Sequence, residues 1–240
     1  MRNRYERQFA VLPSVCDSGG ALGIPDTFAL FMDLAAEHAE ELGFDTPTMM
    51  RRGLFWLTVR TRIRFNRRPK MGERVTLATW PERPGKLRTD RDYVIEQGGE
   101  RLAAGKTEWT ILELETGRLH PMDGLFAPDF AFDPGTVWEE PFLRMKDEPL
   151  DEFARYTVRS TDIDLGGHMN NAAYVRAIAG AFSCEEWQGM GIRELEIAFR
   201  TPCYEGDTLS LQKRADGGAL ALRAALPDGK TIVLARIITG

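Results

Sequence analysis

The sequence predicts an α+β protein made of two tandem repeats, each with a curved antiparallel sheet wrapped around one long helix. Three observations lead to this prediction. One strand and one helix are followed by several segments of period-two hydrophobicity, and this order of elements begins again after residue 150. The second helix is apolar on nearly every side, so it must be buried.

The first repeat opens with an alternating segment at residues 4–12, which is typical of a strand. A helix is predicted over residues 25–42, where Phe28 and Phe31 begin an apolar face at helical spacing and Gly43 supplies the stop. Period-two strands are then predicted at residues 54–65, 74–80, 88–97 and 102–114. Glycine, proline and charged turns separate these strands.

The second repeat follows an acidic, proline-rich passage at residues 121–150. A strand is predicted at residues 153–159 and a helix at residues 171–188, which ends at Gly189. Further strands are predicted at residues 193–200, 208–214, 219–225 and 231–238. Two such sheets joined edge to edge would cover each other's exposed strands, and this arrangement is a double hotdog.

These boundaries predict an N-terminal hotdog repeat at residues 1–125, a linker at 126–150 and a C-terminal hotdog repeat at 151–240. The repeat persists at the level of single residues. Ile63, Phe65, Gly72 and Glu73 recur with the same spacing as Ile197, Phe199, Gly206 and Asp207. Residues 16–22 likewise echo residues 163–169, but Ala21 stands at the position of His168. One reaction centre per chain, in the second repeat, is therefore expected.

Composition excludes several classes of protein. The 31 Lys and Arg against 36 Asp and Glu give a net charge of −5, which favours neither nucleic acid nor an anionic membrane as a partner. Three widely spaced cysteines suit neither a disulfide framework nor a zinc site and indicate a reducing cytoplasm. The sequence has neither a secretory apolar segment nor an apolar run of about 18 residues, so neither export nor a membrane span is expected.

The sequence at residues 161–174, Thr-Asp-Ile-Asp-Leu-Gly-Gly-His-Met-Asn-Asn-Ala-Ala-Tyr, resembles the Ser-Asp-x-Asp-x-Asn-x-His-x-Asn-Asn-x-x-Tyr signature of bacterial and plastid acyl-ACP thioesterases. Residues 85–93 and 116–119 are similar to further segments of that family. The resemblance covers nearly the whole chain. It implies two hotdog repeats, no metal or organic cofactor, and hydrolysis of fatty acyl-ACP to free fatty acid and holo-ACP. The family's Asn falls at Gly166 and a Glu of many members falls at Pro202.

Thioester hydrolysis needs a base or nucleophile, a group that orients it, and donors to the oxyanion. His168 can deprotonate water, and Asp164 is close enough in sequence to hold the imidazole. Gly166 and Gly167 permit a tight turn and close approach of the substrate to the backbone. The amides that enter the second helix at Asn171 could face the carbonyl oxygen, with the helix dipole behind them.

Three residues have both a structural and a catalytic interpretation. Asn170 and Asn171 could contribute to the reaction centre, or could cap the second helix by accepting hydrogen bonds from its free amides. Cys203 falls where plastid members of the family carry a cysteine, and it could be a nucleophile or a small buried apolar residue.

Positive charge is concentrated in residues 51–92, where 13 Lys and Arg accompany 4 Asp and Glu. Arg60, Arg62 and Arg64 alternate along one predicted strand and so share a face. The concentration suits either an ordinary solvated sheet face or a docking site for an acidic acyl carrier protein. The carrier contacts predicted within this segment are Arg83, Lys86, Arg88 and Arg91.

Three functions remain open from the sequence. In the leading hypothesis, the first repeat bounds an acyl pocket and the second hydrolyses acyl-ACP, as a monomer or a homodimer. An acyl-CoA thioesterase is the second hypothesis. The third is a non-catalytic protein that binds acyl chains or the acyl carrier, which the side chains missing at Gly166 and Pro202 favour.

Overall fold

A computed structural model describes residues 3–240 as one 11-stranded antiparallel sheet with a small number of helices. The predicted α+β class and the repeated order of elements are confirmed. Met1 and Arg2, with which the predicted first domain begins, lie outside the described residues.

The predicted strands and the first helix fall close to their predicted bounds. The strands of the first half are β1 (Tyr5–Ala10), β2 (Leu54–Phe65), β3 (Arg74–Pro81), β4 (Thr89–Gln97), β5 (Glu100–Glu113) and β6 (Leu119–His120). Those of the second half are β7 (Asp151–Thr157), β8 (Ile192–Phe199), β9 (Thr208–Asp216), β10 (Ala219–Ala225) and β11 (Thr231–Thr239). The helices are α1 (Ile24–Glu41), α2 (Thr46–Arg51), α3 (Asn171–Gly180) and α4 (Cys184–Gly189), with 3₁₀ turns at Pro13–Val15 and Ser160–Asp162.

The order of strands shows the internal symmetry of the sheet. It runs β1-β3-β4-β5-β2-β8-β11-β10-β9-β7, with β6 added beside β5. In each half, the strand that follows the helices lies at the centre of the sheet, as β2 or β8. The strand that opens each half, β1 or β7, lies at the outer edge. The two repeats therefore share one continuous sheet, joined where Arg62 lies opposite Glu196.

The predicted second helix is too long. Residues 171–188 form two helices, because Ser183 begins a new one: its Oγ accepts from the amide of Glu186, while the Glu186 carboxylate accepts from the Ser183 amide. The short helix α2 was not predicted, although Asp45 caps it by accepting from the Thr48 amide. Its cap and the proline at position 47 were both visible in the sequence.

The helices pack on the inner face of the sheet in a core that spans both repeats. Phe199 of β8 meets the ring of Phe28 of α1 edge to face at 6.2 Å, and it lies 5.8 Å from the ring of Tyr174 of α3. Nearly every apolar residue of α3 is buried, as its all-round hydrophobicity predicted. The central helices of the two repeats thus meet at the β2–β8 junction.

The outer face of the sheet is charged and is covered by the segment between the repeats. Arg60 pairs with Glu108, Arg62 with Glu196 and Arg64 with Glu194. The segment crosses this face: Arg62 donates to the Pro141 carbonyl, and Glu196 accepts from the Leu143 amide, both at 2.8 Å. Both interpretations of this β2 face, a solvated sheet face and a carrier-docking site, are wrong for Arg62, because carboxylates on β5 and β8 neutralise the arginines and the segment covers Arg62.

A second buried cluster on this outer face contains Lys106, Glu82 and Asp92. The Lys106 Nζ lies 2.6 Å from Glu82 Oε1 and 3.6 Å from Asp92 Oδ1, and it also donates to the Trp138 carbonyl. Burial raises the pKa of Asp92 to about 8, a net value that also includes the lowering effect of Lys106 and the raising effect of the neighbouring Glu82 carboxylate.

Asp92 should make the stability of the fold depend on pH. The folded chain keeps a proton on Asp92 that the unfolded chain releases near its ordinary pKa of 3.8. This contribution is therefore complete in acid and is lost as the pH rises towards 8. In thermal melts from pH 5 to pH 9, the melting temperature of an Asp92→Asn variant should rise relative to that of the wild type as the pH rises. The shift should be about 2–4 °C for each kcal/mol of stability that the wild type loses. The exposed Asp129→Asn variant is the control, and an equal pH profile for the two variants contradicts the prediction.

Candidate active site

The turn that leads into α3 contains the predicted reaction centre. Its ends are held by a bridge between Ile163 and Met169, and inside it the Asp164 amide donates to the His168 carbonyl at 3.1 Å. The Gly167 amide donates to the Asp164 carbonyl at 3.0 Å, with Gly167 at a φ of 77°. This left-handed conformation favours glycine, as predicted for the tight turn.

The turn brings Asp164 and His168 together. Oδ1 of Asp164 lies 3.7 Å from Nδ1 of His168 and accepts a hydrogen bond from the Gly166 amide at 2.8 Å. The side chains are 30% and 27% exposed, so water and substrate can reach them. The ring of Phe55, at the start of β2, meets the imidazole edge to face at 6.3 Å. His168 therefore lies where the second repeat meets the first.

Gly166 leaves the space that the imidazole occupies. A Cβ at this position would lie 3.0 Å from both Cε1 and Nε2 of His168 and 3.1 Å from Oδ1 of Asp164. Unlike Gly167, Gly166 does not have a positive φ, so its backbone accepts a side chain. The absence of the family's Asn thus allows the His168 ring to lie against the turn.

A Gly166→Ala variant is expected to displace this ring and to lower kcat about tenfold or more, since small misplacements of a catalytic group are costly. A Gly166→Asn variant displaces it equally but adds an amide donor, so its kcat should exceed that of the alanine variant. Steady-state release of free thiol from acyl-ACP, the substrate that the sequence resemblance implies, measures both. The control is Gly19→Ala in the first repeat, at the same position of a turn that lacks a histidine. Wild-type kcat in Gly166→Ala would show that the ring position is unimportant.

The start of α3 uses the side chain of Asn170 as its cap. Asn170 Oδ1 accepts from the Ala172 amide at 2.8 Å, and the Asn170 carbonyl accepts from the Ala173 amide at 2.9 Å. Asp162 braces the turn, because its carbonyl accepts from the Asn170 amide at 2.8 Å. These contacts support the capping interpretation of Asn170. Of the first three helix amides, only that of Asn171 makes no hydrogen bond to an acceptor among residues 3–240.

Cys203 is buried behind the turn. Its carbonyl accepts from the Met169 amide at 2.9 Å, and its Sγ lies 3.1 Å from the hydroxyl of Tyr174. The side chain is 0% exposed, and burial raises the pKa of the thiol to about 11. A neutral thiol without access to substrate is a poor nucleophile. The geometry supports the interpretation of Cys203 as a buried packing residue.

The first repeat contains the same turn without the histidine. Asp17 Oδ1 accepts from the Gly19 amide at 3.0 Å, the Gly20 amide donates to the Asp17 carbonyl, and the Asp17 amide donates to the Ala21 carbonyl. These bonds reproduce those around Asp164. The sequence similarity between residues 16–22 and 163–169 is thereby confirmed in three dimensions.

The two turns differ in the charged residue that pairs with the aspartate, and this difference was not predicted from the sequence. In the first repeat Arg68 forms an ion pair with Asp17 and donates to the Leu22 carbonyl at 3.1 Å. The repeat spacing places Pro202 at the position of Arg68. Among residues 3–240, the one ion pair of Asp164 is therefore with His168.

The structure separates the predicted carrier contacts. Arg83, Lys86 and Arg88 are exposed, although Arg88 Nη1 lies 2.8 Å from the Glu108 carboxylate. Arg91 is only 9% exposed and lies 3.0 Å from Nδ1 of His38. The expectation that Arg91 contacts a carrier protein is wrong, since its strand position turns the side chain towards α1.

A cavity of about 420 Å³ opens in the first repeat between α1, α2 and the inner face of the sheet. Trp56, Trp109, Met32, Phe44 and Phe126 form most of its apolar wall. Among residues 3–240, no group of three His, Cys, Asp or Glu side chains is placed to hold a metal ion. Within the same range, the helices are all too short or too polar to cross a membrane.

The fold and the turn together define a double-hotdog protein with one candidate acid–base centre. The family profile for the acyl-ACP thioesterase N-terminal domain matches residues 2–127, and that for the C-terminal domain matches residues 145–237. The chain therefore belongs to the acyl-ACP thioesterase family.

Individual relatives are distant in sequence. The chain is 23% identical over 228 residues to the chloroplastic oleoyl-acyl carrier protein thioesterase 1 of Arabidopsis thaliana, covering 85% of this chain and 62% of that protein. It is 24% identical to the chloroplastic acyl-[acyl-carrier-protein] hydrolase FATB3 of Cuphea viscosissima, covering 86% and 55%. The chain thus spans a little over half the length of these plant relatives.

Solved structures confirm the fold. A crystal structure of an acyl-ACP thioesterase from Bacteroides thetaiotaomicron superposes with a TM-score of 0.90 at 24% identity, covering 99% of this chain and 98% of that chain. A 12:0-ACP thioesterase from Umbellularia californica gives a TM-score of 0.83 at 20% identity, covering 99% and 97%.

Proposed function

We propose that the protein hydrolyses the thioester of a fatty acyl-ACP, releasing a free fatty acid and holo-ACP. The observation that carries this proposal is the partly exposed Asp164–His168 pair at the junction of the repeats, in a chain of the acyl-ACP thioesterase family. The pair supplies the base and orienting group that hydrolysis needs.

In the proposed reaction, His168 removes a proton from water while the water oxygen attacks the thioester carbonyl. Asp164, 3.7 Å away, orients the imidazole and stabilises its charged form. The Asn171 amide donates to the oxyanion at the start of α3. Collapse of the tetrahedral intermediate breaks the C–S bond, and the proton on His168 passes to the leaving thiolate. Fatty acid and the free thiol of the carrier arm result.

The pairing of Asp164 with His168 supports the proposed role of Asp164 in orienting the imidazole. An arginine at position 202, as at Arg68 in the first repeat, would draw the carboxylate away from the histidine. Pro202 cannot do so, and Asp164 thus stays available to His168. The water-based mechanism uses neither Cys203, which is buried, nor an Asn at position 166.

The proposal assigns the remaining parts of the chain as follows. Residues 1–125 hold the acyl chain in the 420 Å³ cavity and dock the carrier at Arg83, Lys86 and Arg88. Residues 126–150 connect the repeats, and residues 151–240 carry the reaction. The three cysteines are free thiols, which suits the cytoplasm as the proposed location. The enzyme acts as a monomer or a homodimer.

One experiment distinguishes the proposed function from two others, an acyl-CoA thioesterase and a non-catalytic binding protein. Free-thiol release is measured with acyl-ACPs and matching acyl-CoAs, for the wild type and for an Arg83→Glu/Lys86→Glu variant. Preference for ACP that falls in this variant, but not in the exposed Lys230→Glu control, supports the carrier-protein substrate. Equal cleavage of CoA thioesters without effect of the charge reversal indicates an acyl-CoA thioesterase. Tight acyl binding without turnover indicates a binding protein, which the glycine at 166 favours.

A further inference from the structure

The wall of the cavity in the first repeat combines apolar side chains with charged ones, and its cation is Arg91, with Glu37, Glu40, Asp45 and Asp90 also on the lining. Arg91 of β4 lines it, yet this residue is 9% exposed. Its Nη1 lies 3.0 Å from His38 Nδ1 and 3.4 Å from Thr79 Oγ1. Across residues 3–240, no carboxylate lies within ion-pair distance of Arg91. A buried cation without a counter-ion is costly.

A buried donor lies beside Arg91 on the same wall. Arg91 pairs with Thr107 in the sheet, so Trp109, two residues farther along β5, is its diagonal neighbour on the same face. Trp109 Nε1 is buried, and it makes no hydrogen bond of normal geometry with any residue in 3–240, although the Tyr93 hydroxyl is nearby. Trp56 on the same wall differs, since its Nε1 donates to the Phe44 carbonyl at 3.0 Å.

The wall thus presents a buried cation without an ion-pair partner beside a buried N–H donor without a hydrogen bond of normal geometry. Buried polar groups are normally hydrogen-bonded and buried charges are normally paired, so exceptions call for an explanation. A hydrocarbon chain in this cavity would leave the Trp109 donor unpaired and would add to the cost of burying Arg91. An occupant with an oxygen acceptor would reduce both costs.

We propose that the cavity binds an oxygenated acyl chain, whose hydroxyl, oxo or carboxylate oxygen accepts hydrogen bonds from Arg91 and Trp109. The inference rests on the proposed function and names its substrate class. The oxygen lies away from the thioester, on the part of the chain that reaches β4. A carboxylate gains most from the guanidinium, while a hydroxyl or oxo group needs less desolvation.

The test compares acyl-ACPs of one chain length with a methyl, hydroxyl, oxo or carboxylate terminus, over a series of lengths. At the length that reaches Arg91, kcat/KM for an oxygenated chain should exceed that for the plain chain by about 10- to 100-fold. Arg91→Met should abolish this preference and raise kcat/KM for the plain chain, a reversal that misfolding cannot produce. Trp109→Phe, which keeps the ring and removes the donor, should reduce the preference. The exposed Arg101→Met variant of β5 is the matched control.

Binding of free fatty acids separates this inference from the proposed function. Calorimetric titration of His168→Ala protein with plain and ω-oxygenated fatty acids needs no catalysis. If the oxygenated acid binds more tightly but no thioester is cleaved by the wild type, the inference stands and the proposed reaction fails. Equal binding and equal kcat/KM for plain and oxygenated chains at all lengths overturns it, as does a preference that survives Arg91→Met. In that outcome only water fills the polar end of the cavity.

Discussion

Replacement of His168 by alanine is expected to lower kcat for acyl-ACP hydrolysis by about 10²–10⁴-fold, because the variant loses its general base. KM should change little, since the proposed function places binding of the acyl chain and the carrier in the first repeat. Release of free thiol under saturating acyl-ACP measures the effect. Asp164→Asn should lower kcat by a smaller factor, because the imidazole remains but is no longer oriented or stabilised by a negative charge.

The matched control is His120→Ala. His120 is also a partly exposed histidine beside a carboxylate, with Nδ1 3.0 Å from Glu113 Oε1, but it lies on β6 of the first repeat. Its loss should leave kcat unchanged. If both histidine variants retain wild-type turnover, a mechanism centred on the second-repeat turn is excluded. If the wild type itself shows no turnover, the protein binds acyl chains without cleaving them.

Local sequence patterns predicted most of this fold. Strands β2 and β10 begin and end at the predicted residues, because alternation along a half-buried sheet is a local signal. The break before α4 was missed, since the all-apolar run hid the capping box at Ser183 and Glu186. The sequence predicted that two sheets join edge to edge, but it did not predict that β2 and β8 are the strands that pair. Which edges join depends on contacts over 130 residues apart in sequence, such as Arg62 to Glu196.

The sequence predicted those contacts of the candidate site that join residues close in sequence. It did not predict the contacts between residues that are far apart in sequence. Asp164 and His168 share one turn, so their proximity follows from their spacing. Phe55 approaches His168 from the other repeat, and Arg68 neutralises Asp17 across 51 residues. Arg91 shows the same limit: the density of positive charge suggested a surface, whereas the alternation of β4 placed this one side chain against α1. Charge counted along a sequence does not reveal which charges are buried.

Arg62→Met is expected to destabilise the fold by about 3–5 kcal/mol, because it leaves a buried carboxylate without its partner. Arg62 and Glu196 are 1% and 0% exposed, with Arg62 Nε 2.5 Å from Glu196 Oε2. Burial raises the pKa of Glu196 even with Arg62 present. Without the arginine, Glu196 should take up a proton more readily in the folded state. Chemical denaturation should therefore show a larger loss of stability at pH 8 than at pH 5, since a neutral Glu196 tolerates burial.

A double-mutant cycle distinguishes the charge from the packing of this pair. Glu196→Gln combined with Arg62→Met removes both charges and keeps an oxygen that accepts from the Leu143 amide, so most of the stability should return and the pH dependence should disappear. Arg155→Met is the control, because its pair with Glu152 is 72% and 40% exposed and contributes about 0–1 kcal/mol. If the double variant is as unstable as Arg62→Met, the contacts of Arg62 with the covering segment hold the β2–β8 junction together. Recovery would instead show that the buried pair adds little net stability, because its mutual attraction mainly offsets the cost of burying its two charges.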